Sequence, residues 1–155
     1  MSAAAKRAFE RGTRHPTGGT CQWMSYKDIR VQGTYEFRTC KILDAWMNLN
    51  LISSWEYTND RISYVWPDGT EHTYLIDFKI IDVDQTIRYI ETKGFIREHD
   101  PRKWDAARAL GLNLEIWFLD DIERHEFDIS TRSSTVERLV ETQEVVGSLP
   151  TAWAR

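Results

Sequence analysis

Cysteine, proline and long apolar segments are all scarce in this sequence, and each scarcity excludes a class of protein. The two cysteines, Cys21 and Cys40, form no C-x-x-C pair, so a disulfide framework is excluded and a single disulfide between them stays an alternative. The four histidines have no spacing typical of zinc ligands. No apolar segment approaches the roughly 20 residues of a membrane span, and no signal-peptide pattern opens the chain. These absences favour a cytoplasmic protein that does not enter a membrane.

Charge is unevenly distributed along the chain, although the net charge is −4. Residues 1–31 hold six basic and two acidic residues, a net charge of +4. We interpret residues 1–20 as a flexible basic N-terminal arm and residues 21–155 as one domain. A basic segment can follow a phosphate backbone. The candidate DNA contacts in this region are Arg11, Arg14, Lys27 and Arg30, and surface charges without a role are the alternative.

Hydrophobic periodicity predicts a mixed α/β fold. Apolar residues recur at helical spacing over residues 34–48, with Thr34 as N-cap. Strand-like segments, predicted as an antiparallel meander, then lead to a second helix that Asp100 caps. A strand at residues 112–119 would add in parallel to the sheet, and a Ser134-x-x-Glu137 capping box would open a last helix. The predicted core order is αβββαβ, a mixed β-sheet flanked by helices.

The stretch from His72 to Gly94 predicts a β-hairpin that gathers three charged side chains. Glu91 and Lys93 are two residues apart, so both leave the same face of a strand. A three-residue loop over residues 83–85 places Asp77 opposite Glu91, whereas a two-residue loop would put them on opposite faces. Two carboxylates beside one ammonium suit a divalent metal ion. The alternative is a salt-bridge ladder on an exposed sheet face.

The order of Glu36, the Asp77-Phe78 pair and the run Tyr89-Ile90-Glu91-Thr92-Lys93-Gly94 resembles the PD-(D/E)XK nuclease superfamily. The likeness covers about residues 33–123 and is strongest to small bacteriophage endonucleases. These include homing endonucleases and the phage endonuclease I type of Holliday-junction resolvase. The family's proline before the aspartate is Ile76 here.

The resemblance implies a restriction-endonuclease-like core and a Mg²⁺ cofactor, with Mn²⁺ as a substitute. It implies Asp77 and Glu91 as metal ligands, with the main-chain carbonyl of Thr92, and Lys93 as the catalytic lysine. Glu36 would add a ligand directly or through water, and a first-turn carboxylate that suits the helix dipole is its alternative. Lys103 matches a basic residue near the site or the DNA, with a solvated helix charge as its alternative.

The implied function is endonucleolytic cleavage of double-stranded DNA in a phage-infected bacterial cell. Residues 126–155 lack the lysine-rich tail of phage resolvases, which favours a site-specific homing-type enzyme over a junction resolvase. A non-catalytic DNA-binding module of the same fold is a further alternative. Cutting both strands implies a homodimer or homotetramer, since one site serves one strand.

Overall fold

The computed structural model describes residues 22–147, with side chains up to residue 140. Three helices and eight strands occur within this part of the chain. None of these helices combines the length and the apolar character needed to cross a membrane. The elements, in chain order, are β1 (Trp23–Tyr26), β2 (Ile29–Gln32), α1 (Thr34–Asn48), β3 (Ile52–Tyr57), β4 (Arg61–Val65), β5 (Glu71–Leu75), β6 (Phe78–Asp82), β7 (Ile87–Thr92), α2 (Asp100–Ala109), β8 (Leu114–Trp117) and α3 (Leu119–Gly147).

A four-stranded mixed sheet with the order β3-β6-β7-β8 forms the centre of the fold. β6 pairs antiparallel with β3 and β7, while β8 lies parallel to β7. The parallel pair follows from the crossover through α2, because parallel neighbours need a long connection. The predicted hairpin and the predicted parallel strand are therefore confirmed.

The β6–β7 hairpin has a three-residue loop, one of the two lengths that the sequence leaves open. Asp82 N donates to Thr86 O at 2.9 Å, which leaves residues 83–85 as the loop. Gln85 adopts a positive φ of 70°, as three-residue loops require near their end. Phe78 pairs with Ile90, so extending this register by one residue sets position 77 opposite position 91.

The predicted meander is wrong, because β4 and β5 leave the central sheet and pair only with each other within the described residues. The stretch that the sequence predicts as one strand from His72 is in fact two strands in two sheets. β5 ends at Leu75 and β6 begins at Phe78. Ile76 packs in one core and Phe78 in the other, although residues two apart in a regular strand share a face. Asp77 therefore lies at a break in the strand.

Each face of the central sheet covers its own core. The first lies beneath α1 and contains Cys40, which is a buried free thiol. Cys21, the other cysteine of the alternative disulfide, lies outside the described residues. The second core lies under α2 and the β4–β5 hairpin. Side chains of β7 alternate between the two, with Ile90 in the first core and Tyr89 in the second. The second core contains Ile62, Tyr64, Tyr74, Ile76, Tyr89, Trp104, Ala107 and Leu114.

Three predicted helix starts differ from the structure. Gly33, with a φ of 92°, takes the N-cap position of α1 in place of Thr34. His99 takes that position for α2, so Asp100 is already helical and Pro101 follows it. Ser134 opens no helix because α3 runs unbroken from Leu119, and the Ser134 hydroxyl donates to Ser130 O at 3.0 Å. Serine can make this bond to the preceding turn inside a helix, so the capping pattern misleads.

Candidate functional site

Asp77 occupies the gap that the strand break opens beside β7. Its side chain is only 4% exposed. Oδ2 accepts hydrogen bonds from Thr92 N at 2.8 Å and from Thr92 Oγ1 at 3.0 Å. The carboxylate thus replaces the main-chain acceptor that a continuing strand would supply. The break in the strand therefore sets both the position and the orientation of this carboxylate.

Glu91 and Lys93 lie together on the face of β7 that meets α2. The Glu91 side chain is 7% exposed and the Lys93 side chain 18%. Lys93 Nζ lies 3.3 Å from Glu91 Oε1. Lys93 N donates to Trp117 O at 2.9 Å, which extends the pairing with β8 as far as this lysine. The shared face predicted from their spacing is confirmed.

Asp100, at the first residue of α2, is a member of the site that the sequence analysis missed. Its side chain is fully buried. Asp100 Oδ1 lies 3.3 Å from Lys93 Nζ and 3.2 Å from Lys103 Nζ. Asp100 Oδ2 accepts a hydrogen bond from Arg97 N at 2.8 Å. Together with Asp77, whose charge acts on Lys93, these residues form a cluster of three carboxylates and two ammonium groups, which are those of Asp77, Glu91, Lys93, Asp100 and Lys103.

The charges of this cluster act on one another through a poorly solvated interior. Burial lowers the pKa of Lys93, but Glu91, Asp100 and Asp77 outweigh burial, so the net pKa lies above the ordinary lysine value. Burial raises the pKa of Asp100, but the Arg97 N–H and the two lysines outweigh it and hold the pKa below its usual range. Lys93 is therefore a cation and Asp100 an anion at neutral pH.

Tyr74 is a second residue that the sequence analysis assigned no role. Burial, followed by the charges of Glu91 and Asp77, raises the pKa of its hydroxyl. The hydroxyl thus stays protonated and lies close enough to both carboxylates to feel their charge. Tyrosines are common in strands and cores, so the sequence pattern alone carries no signal that selects this one. The sequence pattern identified Asp100 only as a helix cap. A signal was present, however, because the helix that follows a strand in a parallel crossover begins near the carboxyl end of that strand, where binding sites form.

Glu36 is engaged elsewhere in the fold. The residue is buried on α1, where its Oε2 accepts hydrogen bonds from Gln32 N and Tyr57 Oη, each at 2.7 Å. The Tyr57 ring packs against Phe78 in the first core, 5.4 Å between ring centroids, whereas Glu91 faces the second. Within the part of the chain that the structure describes, no three His, Cys, Asp or Glu side chains form a group that could hold a metal ion. Neither Glu36 nor Asp100 therefore forms a three-carboxylate metal-binding group with Asp77 and Glu91.

The predicted DNA contacts fall into three places. Arg11 and Arg14 lie outside the described residues. Lys27 pairs with Asp44 at 2.5 Å, and the Arg30 guanidinium lies 5.5 Å from the ring centroid of Trp23 in the β1–β2 hairpin. Lys103 lies on α2, where its Nζ is 3.2 Å from Oδ1 of the buried Asp100.

No family model, curated protein or solved structure matches this chain. The geometry of the cluster is therefore what supports a function. Buried carboxylates are the hard oxygen donors that Mg²⁺ prefers, and this ion is commonly held by only one or two carboxylates together with water and substrate phosphates. Asp77 and Glu91 are both buried carboxylates of this type.

Proposed function

We propose that this chain is a Mg²⁺-dependent endodeoxyribonuclease that hydrolyses phosphodiester bonds in double-stranded DNA. The observation that carries the proposal is the buried pair of Glu91 and Lys93 together with Asp77, a buried carboxylate whose charge acts on Lys93. The two carboxylates come from neighbouring positions on either side of the β6–β7 pairing. This is the residue set that the resemblance to PD-(D/E)XK nucleases implies, and the four-stranded mixed sheet between helices is compatible with that core.

Burial argues against the view that these residues form only a solvated salt-bridge ladder. Lys93, the most exposed of the three, is 18% exposed at its side chain. Removing charges from water costs several kcal/mol per ion even after relaxation. Buried clusters of interacting charged groups are concentrated at functional sites.

The main chain supplies a further oxygen donor at the expected place. Thr92 N donates to Asp77, so it points towards the β6 side of β7. The N–H and C=O groups of one strand residue point to the same neighbouring strand. The Thr92 carbonyl therefore points to the edge where the Asp77 carboxylate lies, as a ligand contributed by Thr92 requires.

Charge balance also favours a divalent cation. Three carboxylates and two ammonium groups leave the five-residue cluster with one net negative charge. Binding Mg²⁺ would convert this to one net positive charge, which complements a phosphodiester anion. The same cluster without a cation would repel DNA.

The residues then divide into distinct roles. Asp77, Glu91 and the Thr92 carbonyl would hold Mg²⁺, which supplies positive charge at the phosphate and makes water easier to deprotonate. Lys93 is a cation at neutral pH, so it would stabilise negative charge on the phosphate and orient the attacking water. Cleavage of both strands would need two copies of the chain, since each copy has one such site.

Site-specific cutting of duplex DNA is the form of the activity that we propose. In the experiment, the full chain is incubated with Mg²⁺ and one of two DNA substrates. One substrate is a four-way junction, and the other is linear duplex DNA from the region that flanks the gene encoding this chain. Parallel reactions contain EDTA, the Asp77→Asn variant, or the Lys41→Ala variant as a control on the exposed face of α1. Discrete Mg²⁺-dependent cuts in the linear DNA, lost in Asp77→Asn and kept in Lys41→Ala, are expected.

Preferential cleavage of the junction would replace the homing-type proposal by junction resolution. Mg²⁺ binding and DNA binding without cleavage of either substrate would support a non-catalytic binding module instead. Absence of Mg²⁺ or Mn²⁺ binding in calorimetry would overturn the metal site and with it the nuclease proposal.

A further inference from the structure

We propose that Asp100 is a positioning residue that shares the Lys93 ammonium with Glu91 and would retain it when a metal ion occupies Glu91. This inference rests on the proposed function for its catalytic meaning. The structural part stands separately, because the contacts among Asp100, Lys93 and Glu91 can be tested without DNA or metal.

The Asp100 carboxylate is fixed in one orientation. Its Oδ2 is engaged by Arg97 N, and its main chain belongs to the first turn of α2, next to Pro101. Proline at a helix start is conformationally pre-organised, and a carboxylate in the first turn is favoured by the helix dipole. Because the side chain is fully buried, bulk solvent does not reach Oδ1. Oδ1 is thus a rigid acceptor directed at the two lysines.

Lys93 lies midway between two carboxylates. Its Nζ is 3.3 Å from Asp100 Oδ1 and 3.3 Å from Glu91 Oε1. A divalent cation at Glu91 would compete with the ammonium for that carboxylate. Asp100 would remain as a charged partner of Lys93 during this exchange. The ammonium can then remain next to the reacting phosphate without blocking the metal ligand.

Removal of the Asp100 charge should shift Lys93 fully towards Glu91. Asp100→Asn is the informative variant, because an amide oxygen can still accept the Arg97 hydrogen bond. Lys103→Met is the matched control: it removes the other cation at Asp100 Oδ1 and leaves the Lys93 contact intact.

The first readout is the ¹⁵N–¹H NMR signal of the Lys93 ammonium in the full chain without metal, assigned by its loss in Lys93→Met. A buried, ion-paired ammonium exchanges its protons slowly, so a resolved signal is expected in the wild type and in Lys103→Met. The signal should shift or broaden in Asp100→Asn. An unchanged signal in Asp100→Asn, or an equal loss in Lys103→Met, would overturn the inference whatever the enzyme does.

The second readout is binding and turnover. Mn²⁺ affinity, measured by calorimetry, should fall about 10-fold in Asp100→Asn and should not fall in Lys103→Met. With an active wild type, kcat should fall about 100-fold in Asp100→Asn with KM unchanged, because a displaced lysine still permits DNA binding. Asp100→Glu should recover part of kcat. Equal losses in kcat and binding would indicate a structural role instead.

Two controls separate the possible failures. If the wild type cleaves no DNA, the proposed function fails while the NMR readout still decides the role of Asp100. If Asp100→Asn does not fold, Asp100→Glu replaces it in the NMR experiment. The longer side chain moves the carboxylate, so the NMR signal of the Lys93 ammonium must shift. An unshifted signal in folded Asp100→Glu would refute the positioning role.

Discussion

Asp77 should have two separable roles, and a pair of substitutions distinguishes them. As a hydrogen-bond acceptor it satisfies the main-chain N–H and the hydroxyl of Thr92 at the end of β7. As a carboxylate it would bind the metal ion. Asp77→Asn retains an oxygen for Thr92 N but removes the charge, whereas Asp77→Ala removes both.

The magnitudes follow from burial and hydrogen bonding. In Asp77→Ala the Thr92 N–H loses its acceptor, and an unsatisfied buried donor costs about 1–3 kcal/mol. Relief of repulsion between Asp77 and Glu91 offsets part of this loss. We expect a net destabilisation of about 2 kcal/mol, which lowers the melting temperature by roughly 4–8 °C for a chain of this size. Asp77→Asn should lose less than about 1 kcal/mol.

The assay combines urea unfolding with DNA cleavage for each variant. Both variants should lose cleavage, but only Asp77→Ala should lose substantial stability. Asp84→Ala is the matched control, because Asp84 also accepts a main-chain hydrogen bond, from Thr86 N at 2.9 Å, but at the exposed tip of the hairpin. Water can replace that bond, so Asp84→Ala should be destabilised less and should cleave normally.

Two results would refute this reasoning. Asp77→Ala as stable as the wild type would mean that the Thr92 hydrogen bonds do not support the strand edge. Asp77→Asn with wild-type cleavage would mean that the carboxylate charge is not required, and the metal site would lose its principal ligand.

Three further predictions address other parts of the molecule. Lys93→Ala should abolish cleavage but leave DNA binding largely intact, as measured by gel shift with Ca²⁺ in place of Mg²⁺. Normal cleavage by this variant would show that Lys93 has no catalytic role. Burial, and secondarily Arg124, lowers the pKa of His125, so the unfolded chain binds that proton more readily. Stability should therefore decline as the pH falls from about 6.5 towards the lowered pKa, and unfolding curves of His125→Gln should show a smaller decline. Gln85→Gly should stabilise the hairpin by up to about 1 kcal/mol in urea unfolding, because glycine adopts a φ of 70° without strain; a destabilised variant would contradict the loop conformation.

The predicted elements match the structure where the interactions that decide them are local in the chain. The register of β6 against β7 depends on the three-residue loop and on the alternation of inward and outward side chains along each strand. Both features lie within residues 78–92. The shared face of Glu91 and Lys93 follows from the same alternation. Helix α1 and the parallel position of β8 likewise follow from helical spacing and from the length of the crossover.

The agreement ends where a residue's partner is distant in the chain. Period-two alternation cannot tell which sheet a strand joins, so the departure of β4 and β5 and the break at Asp77 were not predicted. The Asp-Pro pattern located the start of α2 within one residue, but only packing of α2 against the sheet decided that Asp100 meets Lys93. Glu36 is the expected acidic residue on the first helix. It accepts hydrogen bonds from Gln32 N and Tyr57 Oη, and these place it on the other side of the sheet.

The sequence by itself thus determined the hairpin and the face shared by Glu91 and Lys93, because backbone geometry repeats over a few residues, whereas the structure decided between the two loop lengths. Only the tertiary structure decided how deeply the charged cluster is buried and which ammonium each carboxylate contacts. Burial and ion pairing depend on elements that are brought together by long-range packing, and no short stretch of sequence encodes that packing.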